Sequence, residues 1–159
     1  MGFLVNILLV VVTVAGMEAF AYYTHKYVMH GFMWTWHQSH HEPREGNFEK
    51  NDLFAVVFSV PSIILIYLGV NFYGPLLYIG IGIALYGLIY FVFHDVIVHQ
   101  RIRMPIPRGN EYLKRIIQAH RIHHAVHTKE GTVSFGFLYA PRVELLKAEL
   151  KEMGASGSY

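Results

Sequence analysis

The sequence predicts an all-α integral membrane protein, with about three transmembrane helices and further cytoplasmic or interfacial helices that carry a histidine-rich dimetal site. Three observations predict it: three long apolar stretches, a one-sided distribution of basic residues, and a histidine pattern that occurs twice.

Residues 2–23 contain a single charge, Glu18, and residues 53–70 and 72–93 contain none. A hydrocarbon core of ~30 Å takes ~20 helical residues, so each stretch is long enough to span. Only 15% of residues are charged and 53% are apolar, whereas a soluble domain carries about 25% charged residues. The first stretch lacks a basic n-region and a small-residue cleavage site, so it reads as a retained anchor rather than a signal peptide. Asn71, Gly74 and Pro75 mark a short turn that makes the second and third stretches a helical hairpin. Pro61 is expected to kink the second span, with Ser59 and Ser62 satisfying the freed backbone group. Gly80, Ala84 and Gly87 form a small-residue stripe suited to close helix packing.

All 13 Lys and Arg residues fall in residues 26–50 or after residue 100. Three spans put both basic segments, 24–52 and 94–159, on one side, which the positive-inside rule assigns to the cytoplasm. The expected location is therefore the cell (inner) membrane, and the whole chain, residues 1–159, reads as one membrane-embedded domain. Residues 101–110 read as a loop. Residues 111–126 and 141–153 read as amphipathic helices, and the tail 154–159 as frayed. A net charge of +2 gives no argument for nucleic acid as a partner. Without cysteine, disulfides, thiolate metal sites and a cysteine nucleophile are excluded, so any metal must use imidazole or carboxylate.

The histidine pattern is explicit. His25-x4-His30 is followed by His37-x2-His40-His41, and His94-x4-His99 by His120-x2-His123-His124. Ten of the eleven histidines belong to it, and His127 alone stands outside and reads as an ordinary surface or core residue. On a helix, positions i, i+3 and i+4 share a face, so each triplet offers its imidazoles in one direction. An i, i+5 pair turns ~140° around an α-helix and suits a place where a span ends or changes direction, as Gly31 after His30 suggests. All four clusters follow the inner ends of spans and converge on one membrane face. Ten imidazoles are too many for one ion, and two ions with about five each is the natural count.

Structural zinc prefers four ligands, whereas a higher count of neutral nitrogens suits a six-coordinate transition metal such as iron. Spacing does not choose the metal, and zinc could occupy the site in a purified sample. Metal-bound imidazoles usually donate their second N–H to a carboxylate or carbonyl. Glu18, two turns before His25 on the same face, is the strongest candidate for such a role. Asp95 adjoins His94 but points elsewhere on an α-helix, and Asn51 and Asp52 read equally well as N-caps of the second span.

The doubled pattern resembles the bacterial β-carotene hydroxylases of the fatty acid hydroxylase / sterol desaturase superfamily. The likeness extends past the histidines, through His25-Lys-Tyr-Val-Met-His30-Gly, His40-His-Glu-Pro-Arg, Asn51-Asp-Leu-Phe-Ala-Val-Val-Phe, His94-Asp and His99-Gln-Arg. Ala119-His-Arg-Ile-His-His-Ala-Val and Val133-Ser-Phe-Gly-Phe-Leu-Tyr-Ala-Pro complete it. The resemblance implies a non-haem diiron monooxygenase that hydroxylates C3 of β-ionone rings and converts β-carotene to zeaxanthin through β-cryptoxanthin. It also implies two Fe ions, O2 as co-substrate and a ferredoxin-type electron donor, with the carotenoid drawn from membrane lipid.

Trp34, Trp36, Tyr90, Phe91 and Phe93 are near the clusters in sequence and are candidates to line a substrate pocket. The two tryptophans fit an interfacial belt equally well. Arg101, Arg103, Arg108, Lys114, Arg115 and Arg121 form the densest basic stretch, suited to an acidic donor but explained as well by topology. Rival readings are a fatty acid or sterol hydroxylase or desaturase, or a membrane metal-binding or transport protein. A transporter would place its ligands at the bilayer midplane, whereas these histidines follow the span ends.

Overall fold

A computed structural model of the chain describes residues 2–43, 46–105 and 109–154, and every regular element among them is helical. Three apolar helices are long enough to cross a membrane. The first is α1 (Phe3–Tyr23), continued without a break by a π-helical segment, Thr24–Phe32. The second is α3 (Leu53–Asn71), entered through a 3-10 turn at Lys50–Asp52. The third is α4 (Gly74–Tyr90), again continued by a π-helical segment, Phe91–Val98. Between the first two lies the short α2 (Trp34–His41), and α5 (Glu111–His124) and α6 (Val143–Glu152) follow the third. Arg108 and the tail beyond Gly154 lie outside the described residues.

The hairpin of α3 and α4 is the tightest contact, and glycine makes it possible. A Cβ on Gly69 would stand 2.0 Å from the Leu77 backbone nitrogen, and one on Gly80 2.9 Å from that of Ile66. Gly82 performs the same service for α1, where Thr13 packs against it. The expected stripe therefore holds at Gly80 only: Ala84 and Gly87 face a cavity instead of a helix. The helix continues through Pro61, and the two serines do not serve the backbone group that the proline frees. Ser59 donates to the Val56 carbonyl and Ser62 crosses to the Gly80 carbonyl of α4, each at 2.8 Å.

His25 and His30 lie in the first π-helical segment, and His94 lies in the second, which His99 caps. Here i→i+5 hydrogen bonds widen the turn and bring residues five apart back to one side. The His99 N–H donates to the His94 carbonyl at 2.9 Å, and Met33 N–H to Val28 at 3.0 Å. The i, i+5 spacing thus marks a wide helical turn at the end of each helix, with His99 as the cap of the second segment. The chain leaves the helix only afterwards, at Gly31 (φ −107°, ψ −124°).

Past the spans, α5 and α6 pack through Ile116, Ala119, Ile122, Leu146 and Leu150 into a small core of their own. Asn110 caps α5 by accepting the Leu113 N–H at 3.1 Å. This core, which also takes in Val133 and Ala140, supports the helix that carries the second histidine triplet.

Candidate metal centre

The α-helical and π-helical turns sort the ten histidines into two groups. His25, His30, His37 and His123 have ligand nitrogens within 4.8 Å of one another, and so do His40, His94, His99 and His120; either group could hold a metal ion. His41 and His124 lie between the groups, their rings stacked at 4.4 Å. The His41 ring is 5.0 Å from His30 and His37 and 4.9 Å from His123. The His124 ring is 4.7 Å from His40 and 4.5 Å from His120. Each extends one group to five imidazoles. His127 is exposed, and its Nδ1 donates to the His41 carbonyl at 2.7 Å.

Outer partners set the tautomers. His25, His30, His41 and His123 point Nδ1 at the carbonyls of Phe135, Lys129, Val126 and Val133, at 2.9 to 3.0 Å. His37 points Nδ1 at Asn51 Oδ1 at 2.7 Å, and His40 at Glu49 Oε2 at 2.9 Å. These oxygens only accept, so Nδ1 carries the proton and Nε2 presents its lone pair inward. The inward nitrogens then meet in pairs: His25 with His37 at 3.0 Å, His30 with His123 at 3.2 Å, His40 with His94 at 3.0 Å. Lone pairs at that distance repel unless a cation stands between them. The Nε2 atoms of His41 and His124 are buried with no hydrogen-bond partner among the described residues, as suits metal-ligand nitrogens. The residues present fit a two-metal site with all-imidazole ligation.

Burial keeps these rings neutral. It lowers His37 to about 2 and His41 to about 3, with neighbouring imidazoles adding to the effect. His40, His120, His123 and His124 are driven down in the same direction, again first by burial and then by one another. Metal binding requires the neutral ring, so the fold prepays that condition.

The carboxylates fall differently from the expectation. Glu18 touches no histidine: Oε1 accepts the backbone N–H groups of Phe137, Leu138 and Tyr139 at 3.0, 2.9 and 3.2 Å, and Oε2 accepts from the Tyr86 hydroxyl at 2.8 Å. It anchors the loop whose Phe135 carbonyl orients His25. Asp95 does reach back, with Oδ1 3.3 Å from His94 Nδ1. Asp52 caps the 3-10 turn by accepting the Glu49 N–H and pairs with Arg101 at 2.7 Å. Asn51 is no cap but the partner of His37. Sequence reading missed Glu49, Asn51's true role, and the carbonyls of residues 126–135. No spacing rule announces a backbone carbonyl, but Glu49, nine residues after His40 beside the second span, was a visible carboxylate.

An apolar cavity of about 490 Å³ lies among α1, α3 and α4 and ends beside the centre. Phe20, Phe58, Ile63 and Ile83 line its body, while Asn51, Tyr90 and Phe137 close its inner end. Phe137 stacks on His25 at 5.2 Å, and Tyr90 stacks on His94 at 4.6 Å. Of the expected aromatics, Tyr90 and Phe91 line the cavity. Trp34 instead packs 5.0 Å from His30, Trp36 packs on Phe54, and Phe93 faces Tyr112. A second, polar chamber of about 420 Å³ opens onto His40, His99, His120 and His124 beside Arg101 and Arg121. Arg101 is committed to Glu49, Asp52 and Asp95, so it is not a free docking cation.

Comparison with known proteins gives the same architecture a lineage. The chain is 60% identical over 148 residues to a β-carotene hydroxylase of Pantoea ananas, covering 92% of this chain and 84% of that protein. It is 54% identical over 150 residues to the β-carotene hydroxylase of Pseudescherichia vulneris, covering 94% and 85%. A chloroplastic β-carotene 3-hydroxylase of Haematococcus lacustris is 39% identical over 143 residues, covering 86% of this chain and 44% of that protein. No solved structure matches it. The fatty acid hydroxylase family model matches residues 10–141, a stretch that runs from the first span past Phe135, whose carbonyl orients His25, and the chain belongs to that family.

Proposed function

We propose that this hydroxylase acts on C3 of the β-ionone rings of β-carotene, giving zeaxanthin through β-cryptoxanthin, with O2 and electrons from a ferredoxin-type donor. The observation that carries the reading is the apolar cavity between the spans, which ends on the rings of Phe137 and Tyr90 that touch His25 and His94. The names of the relatives supply the substrate class.

Five imidazoles in each group would hold the metals: His25, His30, His37, His41 and His123 in one, and His40, His94, His99, His120 and His124 in the other. Iron at both positions would supply the oxidising power that an unactivated ring C–H requires and that no side-chain acid or base provides. Zinc fits such nitrogens but offers no redox chemistry.

The protein's own part is placement. Phe20 and Ile63 line the cavity yet are 52% and 64% exposed, on helices long and apolar enough to cross a membrane, which supports entry of a hydrocarbon from the bilayer. Ala84 and Gly87 leave room for a broad ring. Phe137 and Tyr90 hold the end of the substrate against the centre and keep the approach apolar, while the polar chamber gives the histidines a separate, aqueous side. The basic segments support a cytoplasmic orientation of that side in the inner membrane.

The test is expression in a β-carotene-accumulating bacterium, with pigment analysis by chromatography. Zeaxanthin and β-cryptoxanthin are the expected products. An unchanged pigment profile, with the protein present and metal-loaded, rejects the assignment.

A further inference from the structure

The surroundings of the two histidine groups differ in charge. Around His25, His30, His37, His41 and His123 every Nδ1 partner among the described residues is neutral: four backbone carbonyls, the Asn51 amide and the Thr132 hydroxyl. Around the other group two partners are carboxylates, Glu49 on His40 at 2.9 Å and Asp95 on His94 at 3.3 Å.

Those carboxylates are held by one cation. Arg101 lies 3.0 Å from Glu49 Oε2, 3.3 Å from Asp95 Oδ1 and 2.7 Å from Asp52 Oδ1, with its side chain only 15% exposed. Asp52 in turn accepts the Glu49 N–H at 2.9 Å. Three carboxylates against one guanidinium leave a net negative charge, largely buried, behind the His40 and His94 rings. The sequence explains the one-sidedness. Asp95 and Arg101 come from the end of the third span and Glu49 and Asp52 from the entry to the second, and these ends meet on one flank of the centre.

A carboxylate behind an imidazole raises its basicity, and a nearby negative charge in a poorly screened interior favours the more positive state of an ion. On the footing of the two-metal reading above, we infer that the two metal positions are inequivalent. The carboxylate-backed position binds its ion more tightly and has the lower reduction potential, and Arg101 is the positioning residue that holds Glu49 and Asp95 beside His40 and His94.

The experiment uses the full chain in lipid nanodiscs loaded with isotopically enriched ferrous iron, read by metal analysis and by Mössbauer spectra during a redox titration. The wild-type chain is expected to bind two irons reduced at two separate potentials. Glu49→Gln should bring the potentials together and weaken retention at one position by about 10–100-fold, the range typical for loss of such a partner. Asn51→Asp, nearly isosteric, places a carboxylate behind His37 and should narrow the separation from the opposite side. Arg101→Gln, which leaves the three carboxylates without their cation, should move the potential of that position opposite to Glu49→Gln, with Arg101→Lys restoring part of the wild-type value. Two irons reduced at one potential in the wild type, or a separation that neither Glu49→Gln nor Asn51→Asp alters, overturns the inference while leaving the two-metal reading intact. One iron or fewer per chain after loading rejects the two-metal reading, and the inference with it.

Discussion

His40 and His123 change places. Each is the middle histidine of an H-x2-HH triplet, yet His40 stands with His94, His99 and His120, and His123 stands with His25, His30 and His37. On an α-helix the first and third members of the triplet are four residues apart and nearly aligned, whereas the middle one is rotated to the other side of them. Two triplets laid side by side therefore exchange their middle rings, and each helix supplies both groups. The prediction is that His40→Ala and His123→Ala each abolish hydroxylation and lower metal content by about one ion per chain, while His127→Ala retains most activity. Equal losses at His127 and His40 would refute the division into ten and one.

Much of this was legible in the sequence for a physical reason. Hydrophobic length names spans regardless of how they pack, and the doubled histidine pattern exceeds anything a core or surface needs. What the sequence concealed was direction. The spacing of His25 and His30 looked unfavourable because it was measured on an α-helical wheel, whereas the chain adopts the wider π-helical turn. Glu18 looked like a ligand partner because seven residues make two turns, but its carboxylate finds three backbone N–H groups more than a hundred residues downstream. Contacts of that separation leave no local trace.

Glu18 also leads to a prediction about the 135–139 loop. A carboxylate in a span requires partners, and here they are the N–H groups that hold Phe135 and Phe137 against His25. Glu18→Gln should cost about 1–3 kcal/mol, the range for unsatisfying buried groups. Gly136→Ala should be as damaging, since its Cβ would stand 2.5 Å from the Tyr139 carbonyl. Both should reduce metal retention, measured by chelator challenge, even though neither residue touches a ligand nitrogen.

The cavity gives a separation of roles. A Cβ on Gly87 meets nothing within 4 Å, so a side chain there enters the cavity and not a neighbouring helix. Gly87→Leu and Ala84→Phe should fold and bind metal as the wild type does, while conversion of β-carotene falls by an order of magnitude or more, as expected when a bulky group blocks a preformed apolar site. Pigment analysis alongside metal content checks both halves. Undiminished conversion in the two variants would place the substrate elsewhere.

The last prediction concerns pH. In the metal-free fold, burial holds His37 near 2 and His41 near 3, whereas an unfolded histidine titrates near 6.5. Above 6.5 both states are neutral at these rings and they contribute no pH dependence. As pH falls below 6.5 the unfolded chain takes up protons that the folded chain refuses, so stability falls with pH across the window from 6.5 toward 3, by up to about 1.4 kcal/mol per unit for each such ring. Protons compete with metal for the same nitrogens, so occupancy should fall in the same direction. Thermal unfolding of the metal-free protein in detergent, compared at pH 7.5 and 5.5, should show the lower transition at the lower pH, with the difference reduced in His37→Gln. A transition that rises on acidification would show that these rings are not held neutral.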